Sequence, residues 1–299
     1  MKTVIGIDLG GTNVRVAKVT EDGQILQVLS SPSHALEGTE KVMTNLKSLI
    51  RQIDGLNEVS GIGIGVPGPV DTVKGVMTMA TNLPGFENYP MAQEIEREFN
   101  LPTFVDNDAN VAGLAEALVG AGKGYKIVYY ITHSTGVGGA LVADGKVISG
   151  KNGYAGEVGN IIVQSEGEKI NHLNVGAAEN VFSGTALVKQ AKEKLNPNIT
   201  SAKAIFDLAK EGNVVAQKMI DDMAYHFALL CSAIGHVVDP HVFVIGGGVS
   251  KSHEAYFDKI LENYNNLVHV GMRNPLFKRA ELSEPGIIGA AMLPISHGI

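Results

Sequence analysis

Asp8-Leu9-Gly10-Gly11-Thr12-Asn13 puts an acid, two adjacent glycines, a hydroxyl and an amide into six consecutive positions. Adjacent glycines leave no Cβ between backbone N–H groups and an approaching anion. Asp8 is the ligand type for a hydrated Mg²⁺, and Thr12 and Asn13 can donate to phosphate oxygens. A plain tight hairpin with a polar corner would use the same residues, so this loop alone leaves both readings open. Two further glycine loops follow, Ser134-Thr135-Gly136-Val137-Gly138-Gly139 and Gly246-Gly247-Gly248-Val249. Gly63-x-Gly65-x-x-Gly68 formally matches a dinucleotide fingerprint, but Pro67 and Pro69 leave no helix N-terminus to receive a pyrophosphate.

Acids form the second group of candidates. Asp106 and Asp108 flank Asn107 in the turn before an alanine-rich helix, where a carboxylate can act as a general base or merely as an N-cap. The residues alone do not choose between the two. Glu157 and Glu179 are of the type that accepts paired hydroxyl donors from a polyol. Without further context Glu179 reads equally as a solvated surface acid.

The elements that must position these groups are legible from periodicity. A strand around Val4–Ile7 meets an alternating run, Val14, Val16 and Val19, that ends at Asp22-Gly23, which is a hairpin. Residues 39–53 have helical spacing, Val59–Val66 reads as a buried strand, and Met91–Phe99 as a helix. A short strand Thr103–Val105 and a helix to about Leu118 follow, then a linker from Gly120 to Gly124. The second half opens with strand Ile127–Thr132, a glycine loop, a second alternating strand and an Asp144-Gly145 turn, so the opening unit recurs about 125 residues on. Two related lobes are therefore expected. Helices are predicted around Thr185–Leu195, Ser201–Glu211, Val214–Ile234 and Ile287–Leu293, with a strand at Val242–Ile245 leading into the third glycine loop. Ligands in open α/β sheets bind at such strand ends.

Composition narrows the classes. The 299 residues carry a net charge of −7, so no basic face points to nucleic acid or an anionic membrane. Ala224–Val249 is the most apolar region, yet it contains His226, His236, Asp239 and His241 and does not read as a membrane span. Cys231 is the lone cysteine and cannot form an internal disulfide; a reducing, cytoplasmic setting is expected. Lys2 begins a run that meets Asp8 after five residues, and no secretory leader is expected.

The three glycine loops resemble the nucleotide motifs of the actin/hexokinase/Hsp70 ATPase superfamily. Within it, Val66-Pro67-Gly68-Pro69-Val70, Asn82-Leu83-Pro84-Gly85, Asn107-Asp108-Ala109-Asn110 and Gly156-Glu157-Val158-Gly159 resemble the ROK (repressor, open reading frame, kinase) family of sugar kinases. The likeness runs in order from residue 3 to about 292. It implies a two-lobed α/β fold with a duplicated RNaseH-like core and ATP in an interlobe cleft. The implied lobes are residues 1–118, joined by a terminal helix at about 286–299, and residues 119–285. It further implies ATP-dependent phosphorylation of a hexose hydroxyl, glucose first, with N-acetylmannosamine, N-acetylglucosamine, fructose or a β-glucoside as alternatives. By the same resemblance Asp108 is the base. Gly10, Gly11, Thr12, Asn13, Thr135, Gly136 and Gly138 cradle phosphates, with Asp8 near Mg²⁺, directly or through water. Gly246, Gly247 and Gly248 let adenosine approach, and Gly68, Asn82, Asn107, Asp108, Glu157, Asn160 and Glu179 face the sugar.

One family feature is missing. Many members hold a structural zinc with three loop cysteines and a histidine after the Gly-Glu-x-Gly motif, but here that histidine position is Asn160 and the loop Glu166–Ala178 has no cysteine. A Cys₃His zinc site is impossible with one cysteine, so no zinc is expected. Packing by Ile170, Leu173 and Val175 must then order the loop that presents Glu179. A sugar-sensing regulator is a remote alternative: such relatives carry an N-terminal helix-turn-helix, and here the first ATPase strand starts at Thr3. A homodimer is a family expectation only.

Overall fold

The computed structural model describes residues 2–299. In chain order the elements are β1 (Thr3–Leu9), β2 (Asn13–Thr20), β3 (Ile25–Pro32), α1 (Thr39–Arg51), β4 (Val59–Val66), β5 (Val70–Asp71), β6 (Val76–Met77), α2 (Met91–Phe99), β7 (Thr103–Asn107) and α3 (Asp108–Val119). Then come β8 (Ile127–His133), β9 (Val137–Ala143), β10 (Lys146–Val147), α4 (Ala178–Phe182), α5 (Gly184–Lys194), α6 (Ala202–Lys210) and α7 (Val214–Val238). The chain continues with β11 (Val242–Gly246), α8 (Phe257–Leu267), β12 (Leu276–Arg279) and α9 (Pro285–Ser296).

The chain divides into two compact units. Unit 1 comprises Met1–Lys126, Ala140–Gly156 and Glu281–Ile299, and unit 2 comprises Ile127–Gly139 and Glu157–Ala280. The first five-stranded sheet has the order β3-β2-β1-β4-β7, and the second β10-β9-β8-β11-β12. Each therefore has a hairpin on one side and two later strands added on the other. In the first sheet β1 runs antiparallel to β2 and parallel to β4. In the second, β11 lies parallel to both β8 and β12. The recurrence read from the glycine loops is thus a recurrence of whole sheets. Among the described residues no helix is long and apolar enough to cross a membrane.

In unit 1 the core lies between the first sheet and its helices. α1 presents Val42, Met43, Leu46, Leu49 and Ile50 to it, an i, i+3/i+4 stripe. The other face is covered by α9, whose run from Ile287 to Pro294 is buried throughout. Glycines make that cover possible. Gly61, Gly63 and Gly65 alternate along β4, and a Cβ at Gly63 would overlap the Ala290 carbonyl. Gly6 of β1 meets the Ile287 carbonyl in the same way. The Gly63-x-Gly65 spacing is therefore a bed for a helix, not a nucleotide loop, and the period of two is what puts the glycines on one face.

Residues 120–124, expected as a linker, are pinned turns. Glu116 of α3 is wholly buried and takes three backbone donors: Ala121 N at 2.9 Å and Glu281 N at 3.2 Å on Oε2, and Leu282 N at 2.9 Å on Oε1. One carboxylate thus fixes the chain near both the point where it first leaves unit 1 and the point where it last rejoins it.

Candidate active site

In unit 1 the groups singled out from the sequence gather at the C-terminal ends of β1, β4 and β7. The β1–β2 turn closes through Gly10 N to Asn13 O at 2.9 Å. A Cβ on Gly11 would come within 2.7 Å of the Asn82 carbonyl, so the glycine loop lies directly against the Asn82 turn. Asn107 is the N-cap of α3, accepting from Ala109 N at 2.9 Å and Asn110 N at 3.4 Å. Its amide also donates to Gly68 O at 3.0 Å, which joins the Pro-Gly-Pro turn to the start of the helix. The cap is thus neither Asp106 nor Asp108. Both carboxylates are left for other uses.

Asp108 is the first residue of α3. Its Oδ1 accepts from Ala109 N at 2.8 Å, and the Asn107 side chain lies within hydrogen-bonding reach of the same carboxylate. The residue is exposed to solvent, while protein packed around it partly desolvates its carboxyl. Burial there raises its pKa above the ordinary 3.8; the Ala109 N–H opposes this and the neighbouring charge of Asp8 adds to it. Asp8 is also raised, first by burial, with Arg15 lowering and Glu284 raising it. Arg15 stands opposite Asp8 on β2 and pairs with Glu284 at 2.6 Å, just before α9. Asp8 and Asp108 are therefore close enough to feel each other's charge.

In unit 2 the loop after β8 is built on Glu179. Val137 N donates to Glu179 Oε2 at 2.9 Å, and a Cβ on Gly136 would overlap that oxygen. Glu179 is thus no solvated surface acid; one oxygen anchors the glycine loop and the other stays uncommitted. Gly184 N donates to Ser134 O at 2.7 Å, setting the start of α5 on the same loop. Gly247, with φ +87°, packs on the His133 backbone, where any Cβ would overlap it. Beside these loops lies a 720 Å³ pocket lined by Ser134, Thr135, Thr185, Phe206, Lys251 and Gly248, among others. Its size fits a nucleotide.

Asn160 has a second occupation. Its Oδ1 accepts from Asn174 N at 2.7 Å, and Asn174 Nδ2 donates back to Asn160 O at 3.2 Å. A bridge between Ile162 and Ala177 closes the same loop, with Leu173 buried beneath it. Of the three apolar residues expected to pack this loop, Val175 is exposed and Ile170 is half-buried. Paired amides join the two segments in addition to packing. Glu157 lies on the surface at the start of the same turn.

Sequence reasoning missed Glu116, Ser149, Phe206 and Thr185. Nothing in local spacing marks them: Glu116 and Ser149 bind partners far along the chain, and Phe206 and Thr185 are brought to the pocket by the fold.

A model of the ROK family matches residues 4–296. The chain belongs to the ROK family. It is 33% identical over 279 residues to a glucokinase of Halalkalibacterium halodurans, covering 87% of this chain and 84% of that one. An N-acetylmannosamine kinase of Shigella flexneri is 29% identical, with 97% and 98% covered. Among solved structures, a ROK hexokinase from Thermus thermophilus superposes with a TM-score of 0.87 at 31% identity, over 99% of this chain and 100% of that one. A ROK glucokinase from Streptomyces griseus, solved with glucose and AMPPNP, gives 0.77 at 29% identity over 97% and 98%. The fold is that of the actin/hexokinase-like ATPases.

Proposed function

We propose that this chain, an ATP-dependent sugar kinase, phosphorylates glucose to glucose 6-phosphate with Asp108 as general base. The observation that carries the reading is Asp108 itself: a carboxylate at a helix start, solvent-exposed and oriented by the Ala109 N–H. Glucose as acceptor draws support from the glucokinase relative and from the glucose-bound ROK neighbour. Asp108 Oδ2 takes the proton of the sugar hydroxyl as that oxygen attacks, while the Ala109 N–H fixes the carboxylate's orientation. Gly68, Asn82, Asn107, Glu157, Asn160 and Glu179 orient the sugar. Asn107 does so from the turn it ties to Gly68, and Asn160 with its NH₂ group. Gly10, Gly11, Thr12, Asn13, Thr135, Gly136 and Gly138 hold phosphate oxygens, and Gly246–Gly248 border the nucleoside. Bound Mg·ATP supplies the transferable phosphoryl group and the cation that offsets its charge, for which Asp8 is the protein ligand. Positioning then supplies most of the rate.

The test is ADP release from Mg·ATP against glucose, fructose, N-acetylmannosamine, N-acetylglucosamine and a β-glucoside. Turnover of glucose with the highest kcat/KM supports the reading, and a tenfold preference for another sugar replaces the acceptor.

Two further outcomes follow at this site. The base works only when ionised, and burial raises its pKa. Activity is therefore lost as pH falls through a midpoint above 3.8, and a kcat–pH profile with its acid limb at or below that value would count against Asp108. Asn174→Ala removes the Nδ2 bond to the Asn160 carbonyl and keeps the backbone N–H bond to Asn160 Oδ1. Loss of one hydrogen bond of this strength should raise the glucose KM roughly 2–10-fold with kcat little changed. An unchanged KM would separate the loop from the sugar.

A further inference from the structure

Asp106, two residues before the proposed base, is almost fully buried, at 3% exposure, and takes no part in the steps above. Its Oδ1 accepts from the Asn107 backbone N–H at 2.7 Å and from Asn110 Nδ2 at 2.7 Å. Its Oδ2 accepts from Ser149 Oγ at 3.2 Å. The two Oδ1 donors stand on either side of Asp108 in sequence, one at the cap and one in the first turn of α3. Ser149 belongs to the 140–156 segment, which unit 1 recruits from far along the chain. Next to this cluster lies a 110 Å³ cavity bordered by Phe104, Lys146, Ser296 and His297. The strand-to-helix turn thus has no close packing beneath it on that side, and hydrogen bonds to one carboxylate hold it.

We propose that Asp106 is a positioning residue for phosphoryl transfer: it clamps the β7–α3 turn from below, so that Asp108 Oδ2 points at the acceptor hydroxyl. This rests on the kinase reading of the same site. Burial without need of the charge would be costly, and burial does hold the Asp106 carboxyl above its ordinary range. Three donors converging on two oxygens are what offset that cost.

The clamp has a specific chemical signature. The three hydrogen bonds require an acceptor at Oδ1, but at Oδ2 they require only a partner for a hydroxyl, which can accept as well as donate. Asparagine meets both conditions, with its carbonyl toward Asn107 and Asn110 and its NH₂ donating to Ser149 Oγ. Alanine meets neither. A misplacement of about 1 Å at a reacting group is enough to cost on the order of 10²-fold in rate.

Asp106→Ala, assayed with glucose and Mg·ATP well below its unfolding temperature, is expected to lose about 10²-fold in kcat with the KM for ATP within about twofold. Asp106→Asn is expected to keep kcat within about fivefold of the parent and to leave the acid limb of the pH profile in place. Amide hydrogen exchange over residues 107–110 reads the clamp without turnover; it should speed at least tenfold in Asp106→Ala and stay near the parent rate in Asp106→Asn. Should Asp106→Ala not fold, the asparagine variant still decides. A hundredfold loss in Asp106→Asn would mean that the charge, not the hydrogen bonds, is used, and would overturn the clamp. An alanine variant with normal kcat and unchanged exchange would overturn it as well. Absence of turnover in the parent protein on every sugar strikes the kinase reading, while the exchange comparison still decides whether Asp106 holds the turn.

Discussion

Asp108→Asn is expected to lower kcat by about 10²–10⁴-fold while glucose affinity stays within a few-fold of the parent. The amide keeps the size and planarity of the carboxylate and can still accept from the Ala109 N–H, but it cannot take a proton. The same substitution should raise the melting temperature at neutral pH. The folded protein raises the Asp108 pKa above 3.8, so stability from this group is fully present below that value and is lost as pH rises through the raised one. At pH 7 the ionised base is therefore a net burden on the fold, and the neutral amide relieves it. The gain should fade as the pH is lowered through the acid limb of the activity profile. Steady-state kinetics and a melting series at two pH values check both halves. A variant that keeps near-parent turnover would remove Asp108 from the base role.

Glu116→Ala is expected to be the most damaging single change to stability away from the chemistry. It leaves the backbone N–H groups of Ala121, Glu281 and Leu282 without their buried acceptor. A buried donor stripped of its partner costs about 1–3 kcal/mol, and neighbouring sites share some of the loss, which puts the total at roughly 3–5 kcal/mol. For a protein of this size the melting temperature should fall by about 10 °C. Glu116→Gln should fall between the two, since its carbonyl serves one side of the trio and its NH₂ confronts donors on the other. Thermal denaturation of the three proteins gives the ranking, and an alanine variant as stable as the parent would show that water fills the gap.

Strands and helices with strong periodicity were legible before any coordinates. Val59–Val66 and Met91–Phe99 have the expected bounds, because buried strands and amphipathic helices advertise themselves by composition. The edge strand Ile25–Pro32 was not foreseen. Its Leu26 and Val28 point outward while Gln27 lies on the half-buried face with Ile25 and Leu29, so the alternation of polar and apolar is broken in mid-strand. Phe257–Leu267 was missed because no side chain caps it and asparagines crowd its end. The glycine loops and the two acids at residues 106 and 108 were visible as types and spacings. What separates the acids is three-dimensional: one is buried and walled in by Asn107, Asn110 and Ser149, the other is exposed to solvent. The Asn160–Asn174 pair was equally hidden, since an amide that serves a loop looks in the sequence like an amide that serves a ligand.

α9 gives the biosynthesis of this protein an awkward timetable. The glycine faces of β1 and β4 are covered mainly by a helix that leaves the ribosome after the whole of unit 2 has been made. At usual elongation rates the interval is roughly 10–40 s. Through that time the first sheet has one apolar side bare, a surface fit for a chaperone or for a neighbouring nascent chain. Unit 2, with no part borrowed from residues 281–299, can close first, so the order of completion runs against the order of translation.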